Sequence, residues 1–172
     1  MTTFDEAFDR LIGHEGGLSL DPKDPGNWTG GRVGVGENRG TKFGIASNTY
    51  PDIDIKGLTL DDAKRIYRRD WWDKIGADVL HPAIVFQMWD FAVNAGMDAS
   101  KRALQYAVGV AQDGKVGNLT LAAVKRTELA DMLLRFNAFR LRYYTSLSTW
   151  PTYGKGWTNR VAGDLDYAAQ DN

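Results

Sequence analysis

At 172 residues the chain is long enough to bury a hydrophobic core and short for two large domains, so a single domain over 1–172 is expected. Its 43% hydrophobic and 25% charged residues exclude the disordered and membrane classes, and a net charge of −1 gives no global positive field for nucleic acid. With no Cys, a disulfide framework and a thiol nucleophile are excluded; with only His14 and His81 a zinc hydrolase is disfavoured, and neither a metal nor an organic cofactor is expected.

Phe4, Ala7, Phe8, Leu11 and Ile12 recur at helical spacing and predict an amphipathic helix over 4–12, ended by Gly13. Asp5, Glu6, Asp9 and Arg10 interrupt this segment before it reaches signal-peptide length, and no later run is long enough to span a bilayer. Synthesis in the cytoplasm, without membrane insertion, is the expectation. Ten of the chain's 19 glycines fall in 13–44, together with Pro22, Pro25, Asn27 and Asn38, which predicts a long loop. Within it, 32–35 and 41–46 are the candidate strands of a small hairpin. Thr59 and Asp62 cap a predicted helix whose inward face is Ala63, Ile66, Tyr67 and Trp71, and which the pair Trp71-Trp72 ends. Residues 82–95 are apolar on nearly every side, the pattern of a helix buried through the middle of a domain, with Pro82 in its first turn. Further helices are predicted at about 98–108, 118–126 and 128–147, with a last one after Gly156. The fold class expected is mainly α (α+β): helices around a buried central helix, with a Gly-rich loop and a small β-hairpin.

The candidate chemistry begins at Glu15-Gly16-Gly17, a carboxylate beside two residues without side chains, where a substrate can approach closely. Nine positions on, Asp24 lies within Asp21-Pro22-Lys23-Asp24-Pro25-Gly26. Two carboxylates flanking a scissile bond are what glycoside hydrolysis requires, one to protonate the leaving oxygen and one to activate water or attack the sugar; solvated surface acids in a turn are the plainer reading. Gln87, Asp90 and Asn94 share one face of the central helix. They either bind sugar groups or brace the core, since buried polar side chains need partners. Trp28, in the glycine loop, is the candidate sugar-stacking ring, while Trp71, Trp72, Tyr153 and Trp157 fit a core as well as a platform. The turn 113–117 reads as structure, and Arg65, Arg68 and Arg69 as a solvated basic flank.

Glu15-Gly16-Gly17, Asp21-Pro22-Lys23-Asp24-Pro25-Gly26 and Thr41-Lys42-Phe43-Gly44-Ile45 together resemble the signature Glu-Gly-Gly, Asp-Pro-x-Asp-Pro-Gly-Gly, Thr-x-x-Gly-Ile of the glycoside hydrolase 108 family of bacterial and phage N-acetylmuramidases. The resemblance continues through Trp71-Trp72-Asp73, 90–96, Leu104-Gln105, Val108-Gly109, Asp113-Gly114, Gly117 and Gly156-Trp157, and so covers nearly the whole chain. It implies a cell-wall lysozyme with Glu15 as general acid and Asp24 and Thr41 completing the site. It also implies that about 98–172 corresponds to the family's predicted peptidoglycan-binding region, packed here as part of the same domain. The chain departs from the signature at 27–40, an insertion before Thr41 that makes Thr29 a competing threonine and can form a lip over a cleft. Leu18 also replaces the aromatic residue often found after Glu-Gly-Gly. A general acid at neutral pH needs a raised pKa, which partial burial of Glu15 would supply. Inversion through a water held by Asp24 and Thr41, or retention through a covalent intermediate, depends on the carboxylate separation. The partners implied are peptidoglycan glycan strands, with no nucleic acid and a monomeric enzyme acting on the wall (periplasm) after release. A lytic transglycosylase and a non-catalytic wall-binding module are the alternatives.

Overall fold

The computed structural model describes residues 3–12 and 17–172. Among the described residues helix dominates, with one two-stranded sheet, and the fold is mainly α and lysozyme-like. Two compact units, Phe4–Asp70 and Trp71–Asn172, are taken in turn.

In the first unit, α1 (Phe4–Ile12) turns Ala7 and Phe8 inward, and the Phe8 ring meets Tyr67 edge-on at 5.7 Å between centroids. Strands β1 (Thr41–Lys42) and β2 (Ile45–Ala46) pair antiparallel, with Thr41 opposite Ala46 and Lys42 opposite Ile45. The predicted hairpin is therefore contained within 41–46. Residues 32–35 form no strand, because Gly31, Gly34 and Gly36 all take positive φ and bend that stretch into turns. Helix α2 (Leu60–Tyr67) begins at the predicted capping box: the Thr59 hydroxyl accepts from the Asp62 N–H, and the Asp62 carboxylate accepts from the Thr59 N–H. Ala63, Ile66 and Tyr67 are buried as predicted, whereas Trp71 is half-buried.

The pair Trp71-Trp72 does not end the helix. The chain passes through a wider π turn, Arg68–Trp72, into the short α3 (Asp73–Ile75). Neither tryptophan breaks helical geometry; Gly76, at φ 80°, is the left-handed residue that does.

In the second unit, α4 (Pro82–Ala95) is buried along nearly its whole length, with Ile84, Phe86, Met88, Trp89 and Phe91 all inside. Helices α5 (Met97–Ala107), α7 (Leu129–Ser146) and α8 (Trp150–Asp171) pack on it, which is why its sequence is apolar on nearly every side. Phe91 is met edge-on by Phe136, Phe139, Tyr143 and Tyr144, and Tyr144 stacks on Trp157 at 4.9 Å. The Ser100 hydroxyl ties α5 to α4 by donating to the Met88 carbonyl at 2.6 Å. Helix α6 (Asn118–Val124) is shorter than predicted, and α8 starts at Trp150 instead of after Gly156. The reason for the early start is local: Pro151 sits in the first turn, and Gly154 leaves room for the Trp150 ring against the helix backbone.

Candidate active site

Of the residues singled out in the sequence, Gly13, His14, Glu15 and Gly16 lie outside the described residues. Asp24 and Thr41 belong to one continuous hydrogen-bonded construction in the first unit.

It starts with a tight turn. The Asp21 carboxylate accepts from the Lys23 N–H at 2.9 Å, and the Asp21 carbonyl accepts from the Asp24 N–H at 3.2 Å. Asp24 then caps a single 3-10 turn, Pro25–Asn27, its Oδ1 accepting from the Gly26 N–H at 2.8 Å. Its side chain stays exposed. The carboxylate is thus oriented by backbone and open to solvent.

Asn27 ends the turn and is fully buried. Its Nδ2 donates to the Asp21 carbonyl at 3.0 Å, and its Oδ1 accepts from the Thr41 hydroxyl at 2.7 Å. Its backbone N–H donates to the Asp24 carbonyl, and its own carbonyl accepts from the N–H groups of Arg39 and Gly40. Thr41 is fixed from the other side by backbone hydrogen bonds to Ser19 at 2.8 and 2.9 Å. The Gly26 carbonyl, one residue earlier, receives the Asn48 N–H and the Ser47 hydroxyl.

The inserted segment between Asn27 and Gly40 closes on itself. Trp28 and Asn38 form an antiparallel bridge, the Thr29 N–H donates to the Glu37 carbonyl, and the Gly30 N–H to the Val35 carbonyl. The Thr29 hydroxyl accepts from the Glu37 N–H at 3.0 Å, so it serves the loop itself. Trp28 is half-buried, its indole N–H donating to the Pro22 carbonyl at 3.0 Å, which lays the ring along the Asp21–Asp24 turn.

Gln87, Asp90 and Asn94 lie in the second unit, in a polar cluster of their own. Gln87 donates to the Asp164 carbonyl at 2.7 Å and accepts from the Asn137 amide at 3.0 Å. Asp90 is buried and takes two guanidinium groups, Arg140 at 2.6 Å and Arg160 in a two-pronged contact of 2.6 to 3.0 Å. Arg140 reaches Asp164 with its other arm, also at 2.6 Å. Asn94 is exposed and accepts from the Tyr144 hydroxyl at 2.7 Å. Burial works to raise the Asp90 pKa, but the charge and hydrogen bonds of Arg160, followed by the charge of Arg140, outweigh it and hold the group at about 2. Asp164 goes the other way: burial, then the charge of Asp90, push it up to about 8 against the opposing pull of Arg140.

Two features of these clusters were not singled out in the sequence, although each left a trace there. Asn27 occupies the position of the second glycine in the Asp-Pro-Gly-Gly element, and a polar side chain there is a departure that asks for a partner. Arg140 falls four residues after Phe136 and seven after Leu133, on the apolar stripe of α7, where a charge must be paired.

Comparison with known proteins converges on one family. The model described as glycosyl hydrolase 108 matches residues 8–96, a segment that contains Glu15, Asp24, Thr41, Gln87, Asp90 and Asn94. Among solved structures, the SagA protein of Brucella abortus is similar at 32% identity, over 98% of this chain and 94% of that one, with a TM-score of 0.81. No curated protein matches the chain.

Proposed function

Since the chain belongs to the glycosyl hydrolase 108 family, we propose that it is a muramidase, cleaving the β-1,4 bond between N-acetylmuramic acid and N-acetylglucosamine in peptidoglycan. The observation that carries this reading is the linkage of Asp24 to Thr41 through buried Asn27, within the matched segment and nine residues after Glu15. Glu15 is the general acid, donating its proton to the leaving glucosamine oxygen as the bond to muramic acid C1 breaks. Asp24, exposed and oriented by the Gly26 N–H, accepts a proton from the attacking water, and Thr41 helps to hold that water. The role of Thr29 in closing its own loop favours Thr41 as the third member. This arrangement suits inversion, in which the first product is the α anomer.

The Trp28 ring is the proposed stacking surface for a sugar face. Asn94 is the member of the α4 triplet with an exposed side chain and is the proposed sugar contact there. The buried and partnered Gln87 and Asp90 brace the unit that presents it. The working protein is proposed to be one lysozyme-like catalytic domain over the whole chain, a monomer needing no cofactor, of the endolysin type and made in the cytoplasm before release to the wall. No helix among the described residues is long and apolar enough to cross a membrane.

Mass spectrometry of soluble fragments from purified peptidoglycan, with and without borohydride reduction, tests the assignment. Reducible muramic acid ends from the wild type, and none from Glu15→Gln, are expected. Anhydro ends would make the protein a lytic transglycosylase, and binding to the wall without soluble products would make it a binding module.

A further inference from the structure

We propose that Asn27 is a positioning residue that fixes the direction of the Thr41 hydroxyl, so that Thr41 serves the attacking water only as an acceptor. This rests on the muramidase reading above, with Asp24 as base. The argument is one of donors and acceptors. The Asp21 carbonyl can only accept, so the group of Asn27 that faces it is the amide N–H. The amide oxygen must then face Thr41, and because that oxygen can only accept, the Thr41 hydroxyl donates to it. A hydroxyl has one proton, and here it points into the protein. Its lone pairs are what remain for a water outside.

This polarity matters for the reaction. A water that gives one hydrogen to Thr41 and the other to Asp24 keeps a lone pair free for C1 of the muramic acid. Were the threonine proton turned outward, it would engage one of the water's two lone pairs and make the oxygen a poorer nucleophile. In the step itself the water oxygen bonds to C1, the bond from C1 to the glucosamine oxygen breaks, that oxygen takes the Glu15 proton, and the water proton passes to Asp24. Asn27 is suited to enforcing the arrangement because it is buried and immobilised at both backbone groups, by the Asp24 carbonyl and by the N–H groups of Arg39 and Gly40. It connects the turn that carries Asp24 to a strand fourteen residues later.

A double-mutant cycle on the full-length protein tests this, with turnover read as new reducing ends from soluble glycan strands. Asn27→Ala and Thr41→Val are each expected to lower kcat by about 10- to 100-fold with little change in KM. The double variant should be no slower than Thr41→Val alone. Losses that simply multiply, or a change confined to KM, would mean that Asn27 does not act through Thr41 and would overturn the proposal. Should Asn27→Ala fail to fold, Asn27→Asp decides, because it keeps an acceptor oxygen towards Thr41 while losing the donor to Asp21. It is expected to be less stable yet to keep most of its turnover, and a loss as large as that of Thr41→Val would overturn the role. Wild-type turnover in Asp24→Asn or Thr41→Val would sink the site reading itself. That outcome is distinct from one in which those two variants are slow and Asn27→Ala is unaffected.

Discussion

Phe43 and Gly44 make the two-residue turn between β1 and β2, at φ 51° and 74°, the consecutive left-handed pair that two-residue hairpins prefer. Glycine takes this conformation without cost, whereas phenylalanine does not, and two contacts hold Phe43 in it. The Tyr67 hydroxyl donates to its carbonyl at 3.3 Å, and the Lys42 ammonium lies 5.3 Å from its ring centre. A side chain at position 44 meets both strain and obstruction, because a Cβ there would run into the Tyr67 hydroxyl. Gly44→Ala is therefore expected to destabilise the protein by about 1–3 kcal/mol. The urea midpoint should fall with the slope unchanged. A variant as stable as the wild type would show that the turn relaxes at no cost. Because Thr41 stands two residues before this turn, the same substitution should also slow turnover.

The loop between α5 and α6 shows how one buried side chain organises a whole element. Gln105 accepts from the Gly114 N–H at 2.8 Å and donates to the Asp113 carboxylate at 2.7 Å and the Lys115 carbonyl at 3.1 Å. Its replacement by alanine breaks three hydrogen bonds at once, and Gln105→Ala is expected to cost about 2–3 kcal/mol. The diagnostic sign is local: amide hydrogen exchange should accelerate at Gly114 and Lys115 well before it does in α4, and uniform acceleration would contradict the assignment. The turn chemistry of 113–117 was legible in the sequence; its dependence on Gln105, eight residues before Asp113, was not, since no local pattern announces which distant amide fills a loop. The helices divide in the same way. Helix α4 was readable to the residue because total burial leaves an unmistakable apolar run, and the start of α2, though not its end, because its capping box is local. The insertion misled, since Val33 and Val35 alternate like a strand while the interleaved glycines adopt positive φ. At the candidate site, Asp24 and Thr41 are proposed on the strength of the resemblance. The buried amide that joins them was not legible, because a hydrogen bond across fourteen residues depends on how the intervening loop closes.

For the molecule as a whole, the Asp90, Arg140, Arg160 and Asp164 cluster makes stability a function of pH. Asp164, with its pKa raised to about 8, keeps in the folded state a proton that the unfolded chain releases near pH 4. Its contribution is complete below about pH 4 and is lost as pH rises towards 8. Asp90, held at about 2, contributes in the opposite sense: fully above about pH 4, and lost as pH falls through 2. The unfolding free energy should accordingly decline by a few kcal/mol between about pH 5 and pH 8. Asp164→Asn, which keeps an acceptor for Arg140, should flatten that decline; equal slopes in denaturant titrations of the two proteins would refute the account. The loop between Asn27 and Gly40 has a consequence of another kind. Its two ends are fastened to each other at the Asn27 carbonyl, so the chain enters and leaves it at one point. Its length is thereby uncoupled from the spacing of Asp24 and Thr41, and residues can be gained or lost at its tip over generations without disturbing either. The segment is a place where such an enzyme can try out new surfaces while its chemistry stays put.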